Sequence, residues 1–325
     1  MTMDKPDGKP PLLAIVGPTA VGKTALSLTL AERLNGEIVS GDSMQVYRRM
    51  DIGTAKATPA ERARVRHHLI DIKNPDEPFS VAEFQTLARK AIEDIGSRGK
   101  LPILVGGTGL YVESLCYGYD FPERATDEAY REKLREYGRE HGTQALWDKL
   151  REVDPDTAGR LHANDERRII RALEVYHATG ERLSDQLRKQ RRESPYRLCL
   201  IGLTMEREQL YRRIGERVDA MIREGLVGEV RSLLAAGWPP NATAFQGIGY
   251  KEIVPYLEGR MSLEEAVELL KRDTRRFAKR QLSWFRHMKE IEWVDVTRIE
   301  NFTAHLERIH AIIASKLGIV GDRGR

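Results

Sequence analysis

Short apolar runs alternate with longer amphipathic stretches through the first hundred residues, the pattern of a parallel sheet whose strands are joined by helices. Residues 12–16 form a continuous apolar run closed by Gly17-Pro18. Leu26, Leu30 and Leu34 then recur at helical spacing before Gly36, which predicts a helix over about 23–34. Residues 37–40 read as a second strand leading into Gly41-Asp42-Ser43, and residues 68–72 as a third. Ser80-Val81-Ala82-Glu83 has capping-box spacing and opens a predicted helix to about Ile95. Residues 101–105 are a buried-strand run closed by Gly106-Gly107-Thr108-Gly109, and residues 198–203 and 291–296 predict two further strands.

From about Gly118 to Ser194 the periodicity is helical only, and both ends carry linker-like Gly, Pro and Ser, near 118–122 and 193–195. The expected fold is therefore α/β: a P-loop core with a parallel sheet flanked by helices, in two parts (1–117 and 196–325), and an inserted all-helical domain over 118–195. Residues 206–287 are again mainly helical, with breaks at 237–240 and 246–250. No apolar run approaches the ~20 residues of a membrane span. The polar first residues do not fit a signal peptide. Two cysteines, Cys116 and Cys199, exclude a disulfide framework and a four-cysteine zinc site. A cytoplasmic protein with no membrane partner, acting as a monomer, is the expectation.

Gly17-Pro18-Thr19-Ala20-Val21-Gly22-Lys23-Thr24 matches G-x-x-x-x-G-K-[ST] between a predicted strand and a predicted helix. Glycines let such a loop curl until its N–H groups face an anion, and the helix N-terminus adds partial positive charge. Lys23 supplies a mobile cation, and the Thr24 hydroxyl is the candidate ligand for Mg²⁺, the expected cofactor. A polyphosphate or pyrophosphate is the implied ligand. A nucleotide hydrolase or ATP-binding kinase would also carry a metal-binding acid at a strand end. The run 101–105 ends instead in Gly106-Gly107-Thr108. The nearest acid is Asp42, for which metal ligand, general base and helix cap all remain open.

The chain carries 53 basic and 49 acidic residues, a net charge of +4, which says little. Its distribution says more. Residues 271–289 hold eight basic residues and one acid, a net +7 that suits a phosphate backbone, with Arg272, Arg275 or Arg276, Lys279 and Arg286 near one helical stripe. Phe277, Trp284, Phe285 and Met288 fall toward other faces. Residues 118–200 are evenly balanced, 17 basic against 17 acidic, so only local patches there suit RNA: Arg167, Arg168 and Arg171, then Arg188-Lys189 and Arg191-Arg192. A non-catalytic RNA-binding module would explain these charges but leave the phosphate loop unused. His67-His68 lacks a third ligand at metal-site spacing and reads as structural.

Several segments together carry a family likeness. Residues 17–24, Asp42-Ser43-Met44-Gln45-Val46-Tyr47, Asp51-Ile52-Gly53-Thr54-Ala55-Lys56 and Gly106-Gly107-Thr108-Gly109-Leu110-Tyr111 come first. Asn164-Asp165, Arg168 with Arg171-Ala172-Leu173-Glu174-Val175, and Ala278-Lys279-Arg280-Gln281 with Trp284-Phe285-Arg286 follow. In this order they resemble the bacterial tRNA dimethylallyltransferases over nearly the whole chain. The resemblance implies transfer of a dimethylallyl group from dimethylallyl diphosphate to N6 of the adenosine at tRNA position 37, in tRNAs reading codons that begin with U, with release of pyrophosphate. It implies that the loop holds the diphosphate, that Asp42 is the general base, and that Thr19 and Arg217 reach the diphosphate. Without it, Arg217 is an ordinary exposed helix charge. It further implies that the insertion clasps the anticodon stem-loop. Asp42, Ser43, Met44, Gln45, Thr108, Arg167, Arg168, Arg171, Lys279 and Arg280 are its RNA-contacting positions, with Gln246-Gly247-Ile248-Gly249-Tyr250-Lys251. Gln246 stands where the family has arginine. Tyr111 is read either as a channel wall or as helix packing.

Overall fold

A computed structural model describes residues 8–121, 127–190 and 192–319. Among these residues, six parallel strands form one sheet in the order β3-β2-β4-β1-β5-β6. They are β1 (Pro11–Val16), β2 (Gly36–Ser40), β3 (His67–His68), β4 (Leu101–Gly106), β5 (Arg197–Thr204) and β6 (Glu292–Asp295). β1 lies between β4 and β5, with Ile15 opposite both Val105 and Ile201. All six β1 residues are buried, as an apolar run covered on both faces should be. Around the sheet lie α1 (Lys23–Arg33), α2 (Pro59–Arg64), α3 (Val81–Ser97) and α4 (Gly109–Cys116). After β5 come α10 (Arg207–Glu224), α11 (Leu226–Ala235), α12 (Tyr250–Leu257), α13 (Leu263–Phe285) and α14 (Phe302–Leu317).

The third strand is shorter than its sequence suggests. Leu69 (φ 63°) and Asp71 (φ 57°) are left-handed, so pairing with β2 stops at His68 and residues 69–72 form no strand. Lys56 fixes this bend by donating to Asp71 at 2.6 Å. The segment after β5 also builds an apolar core of its own, where Val46, Tyr47 and Met50 from the loop after β2 pack with Phe245, Tyr250, Ile253 and Leu270. The alternating pattern of the first hundred residues gives no sign of this second core.

The chain divides into two compact units, 8–117 with 194–319 of the described residues, and Gly118–Glu193. The second unit is helical: α5 (Glu128–His141), α6 (Thr143–Val153), α7 (Pro155–Ala158), α8 (Glu166–Thr179) and α9 (Leu183–Lys189). Leu134, Leu146, Leu150, Ile169 and Leu173 form its core. Its later boundary falls after Glu193, two residues before the expected 195. Pro122 of the first expected linker and Arg191 of the expected basic patch Arg191-Arg192 lie outside the described residues. No described helix is long and apolar enough to cross a membrane.

Candidate active site

Three adjacent strands bring the candidate residues together, because the loops after β1, β2 and β4 all leave the same edge of a parallel sheet. The loop after β1 turns through Gly17 (φ 146°), Ala20 (φ 64°) and Gly22 (φ 107°) before α1 begins at Lys23. Gly17 is needed twice over: for its φ, and because a Cβ there would meet the Leu203 carbonyl oxygen at 2.6 Å. Lys23 Nζ donates to the carbonyls of Gly17 (2.9 Å) and Pro18 (2.7 Å), folded back onto its own loop. Burial, reinforced by the nearby Arg217 cation and partly opposed by Asp42, lowers the Lys23 pKa to about 7. Arg217 is likewise lowered by burial, with Asp42 opposing. The bare reading of Arg217 as an exposed helix charge is thus corrected. It rises from α10 to line the site, its Nη1 3.5 Å from Thr19 Oγ1, at the long limit of a hydrogen bond.

Asp42 follows β2. Its Oδ1 accepts the Met44 N–H at 2.8 Å, which turns the chain back toward the sheet. Thr108, beyond β4, accepts the Ser43 N–H on Oγ1 at 3.1 Å. Thr19, Asp42, Ser43, Met44, Thr108 and Arg217 all line one cavity of about 310 Å³. The segment after α11 contributes Gln246, Gly247, Ile248 and Lys251, and α13 contributes Phe277 and Arg280. A smaller cavity of about 60 Å³ is lined by Lys23, Thr24, Ser40, Asp42 and Gln45 among others. Asp42 borders both, so phosphate-loop groups and the large cavity meet at this one carboxylate.

Three of the expected RNA-contacting residues are also hydrogen-bonded inside the fold. Gln45 accepts from Ser40 Oγ at 3.0 Å and donates to the Thr54 carbonyl at 3.3 Å, stapling its own loop. Tyr250 is fully buried, and its hydroxyl donates to Glu229 at 2.6 Å. Glu229 also accepts from the backbone N–H groups of Asp51, Ile52 and Gly53, holding the cavity wall. Gly249 (φ 102°) packs on Gly53, which has no room for a Cβ beside the Tyr250 ring. Arg171 is the third: it donates to the buried Glu174 at 2.7 Å, joined there by Arg131. Arg167 and Arg168 are exposed on α8 of the second unit. Tyr111 stacks on Phe84 at 4.4 Å and is packing rather than channel wall.

On α13 the charges divide by depth. Lys271 pairs with Asp219 at 2.8 Å, and Asp273 lies near Arg272 and Arg276. Lys279 and Arg280 are exposed, and of the two only Arg280 lines the large cavity. The same helix carries the residue that motif spacing missed as a site member. Gln281, 5% exposed, accepts the Thr19 N–H at 2.8 Å and donates to the Gly107 carbonyl at 3.0 Å. One signal was available: a lone uncharged amide, between Ala278 and Phe285 on the inner face of a basic helix. His68 Nε2 meets Glu37 at 2.8 Å, the structural role expected of that pair. No group of three or more His, Cys, Asp and Glu among the described residues is placed to hold a metal.

Comparison with known proteins places this site in context. The family model described as IPP transferase matches residues 45–288, beginning just after the phosphate loop and Asp42. A tRNA dimethylallyltransferase of Geobacillus thermodenitrificans is 56% identical over 306 residues, 94% of this chain and 97% of the relative. That of Bacillus licheniformis is 53% identical over 309 residues, 95% of this chain and 98% of the relative. Among solved structures, the full-length tRNA isopentenylpyrophosphate transferase of Bacillus halodurans is 51% identical and covers 95% of this chain and 97% of its own, with a TM-score of 0.73. A eukaryotic dimethylallyltransferase acting on tRNA is 30% identical and covers 97% of this chain and 82% of its own, with a TM-score of 0.81.

Proposed function

Because the chain belongs to the IPP transferase family, its reaction is the prenylation of tRNA, and we propose how the site divides that work. The donor is dimethylallyl diphosphate, its diphosphate held by residues 17–24 with Lys23 and Arg217. The acceptor is the exocyclic N6 of the adenosine at position 37, beside the anticodon, in tRNAs that read codons beginning with U. The base leaves its stack to enter the large cavity. One observation carries this reading: Asp42 borders both the cavity with Thr108, Gln246 and Arg280 and the small cavity with Lys23 and Thr24.

An adenine amino group is a weak nucleophile, because its lone pair is delocalised into the ring. As N6 forms its bond to the dimethylallyl C1, the C1–O bond to the diphosphate breaks and pyrophosphate departs. The N6 proton passes to the Asp42 carboxylate. General-base help of this kind is worth about 10²–10⁴-fold. The departing pyrophosphate gains negative charge where the loop N–H groups, Lys23 and Arg217 offer donors. Thr19, whose Oγ1 lies 3.5 Å from Arg217 Nη1, donates to the same oxygens.

The donor set also fits Mg²⁺. Thr24 and Asp42 offer hard oxygens around one small cavity, and Mg²⁺ typically takes one or two protein oxygens and completes its shell with water and phosphate oxygens. Thr24 would hold it, with Asp42 in reach of the same space, and when bound it supplies positive charge to the diphosphate. The exposed cations of α13, with Arg167 and Arg168 on the second unit, meet the RNA backbone.

Mixing the protein with dimethylallyl diphosphate and unmodified tRNA tests the reading. Pyrophosphate release with a matching mass gain on the RNA is expected. Consumption of ATP without RNA would instead identify a kinase.

A further inference from the structure

Gln281 belongs to α13, yet its side chain turns inward between two loops that serve opposite ends of the reaction. On one side Oε1 accepts the Thr19 N–H at 2.8 Å, inside the phosphate loop. On the other, Nε2 donates to the Gly107 carbonyl at 3.0 Å, one residue before Thr108 in the wall of the large cavity. These partners are one donor and one acceptor, and the side-chain amide answers both at once, with its oxygen and its nitrogen. A carboxylate would accept from Thr19 and repel the Gly107 oxygen, while an aliphatic chain would leave both groups unpaired. Gly107 is fitted to the bridge, since a Cβ there would overlap the Gln281 amide nitrogen.

We propose that Gln281 is a positioning residue for prenyl transfer, its amide setting the distance between the loop that holds the leaving group and the wall that holds the incoming amine. The proposal rests on the reaction assigned above. In that reaction one bond breaks at the diphosphate end and one forms at the amine end, and different loops hold the two ends. Their separation therefore enters the barrier directly, and a misplacement of about 1 Å costs about 10²-fold. Lys279, exposed two residues earlier, lies about 200° around the helix from Gln281, so the bridge and this RNA contact are separable.

Gln281→Met, close in shape and without either hydrogen bond, is the test. Single-turnover transfer is measured alongside tRNA dissociation and the folded fraction from thermal melting. No product from the unaltered protein would refute the reaction itself. With an active parent, the variant should lose about 10²-fold in turnover after correction for unfolded protein, with the tRNA dissociation constant held within about twofold. Gly107→Ala attacks the same bridge from its other end and should reproduce the loss. The double variant should then be no worse than either single one, because both break one interaction. Turnover of folded Gln281→Met within about threefold of the parent, or losses that multiply in the double variant, overturns the proposal.

Discussion

The phosphate loop and α13 both present positive charge, but they are built in opposite ways. At the loop, Gly17 and Gly22 set the backbone curl, and the two cations there, Lys23 and Arg217, are enclosed enough that burial lowers both pKa values. On α13 the charge sits on exposed side chains such as Lys279 and Arg280. Enclosed charge acts at short range on one ligand in one place. Exposed charge acts at longer range, on any polyanion, and salt screens it. On the proposed reading, the small donor is held by geometry and the large acceptor by field.

Asp42→Ala gives the largest effect that sharpens this contrast, about a 10²–10⁴-fold loss of turnover with tRNA binding retained. Wild-type-like single-turnover rates in this variant would remove Asp42 as the base. Arg217→Ala comes next, with an expected loss of about 10²–10³-fold confined to use of the diphosphate. If tRNA affinity alone changed, Arg217 would belong with the exposed charges instead.

Acidity separates the two regions further. Burial brings Lys23 to about 7, so its neutral form predominates well above pH 7 and its charged form well below it. A bound diphosphate favours its charged form, so binding takes up a proton above pH 7 and none well below it. Affinity for a diphosphate ester that stays fully ionised across the range should therefore weaken as pH rises, by up to about tenfold per unit. Calorimetry in two buffers of different ionisation heat reads the uptake. An absence of uptake at pH 8 would place Lys23 among the ordinary surface cations.

Lys279→Ala should weaken tRNA binding evenly across sequences and reduce the slope of log affinity against log salt by about one. An unchanged slope would return this part of α13 to a purely structural role. The smallest effect distinguishes two arginines three residues apart. Arg171→Ala should cost about 1–2 kcal/mol of stability in the second unit, through its bond to Glu174. Arg168→Ala should leave melting unchanged and weaken RNA binding. Equal melting losses in both would break the distinction.

Local physics made much of this legible in sequence. β1 and β4 are apolar runs closed by glycine, β5 is a third apolar run, and the phosphate loop combines glycine conformations with a helix start, all within a few residues. What escaped notice depends on contacts between distant segments. Gln281 reaches Thr19 across 262 positions. Arg217 reads as surface until α10 is set beside the phosphate loop. Tyr250 resembles a recognition residue until Glu229 is seen to bind its hydroxyl and three N–H groups of the 51–53 loop. The short β3 was hidden by left-handed Leu69, a residue type that rarely adopts such a conformation.

The strand order has a consequence in time. β1 is made early, and its partner β4 follows within the same stretch of chain, but β5, which must pair with the other edge of β1, comes only after the whole helical unit. At about 5–20 residues per second, the ribosome leaves that apolar edge open for several seconds. An open edge of this kind invites pairing with other chains. The helical unit, with its own apolar core, can fold during that wait, so the nascent half-sheet is the stage most exposed to misassociation and to chaperone capture.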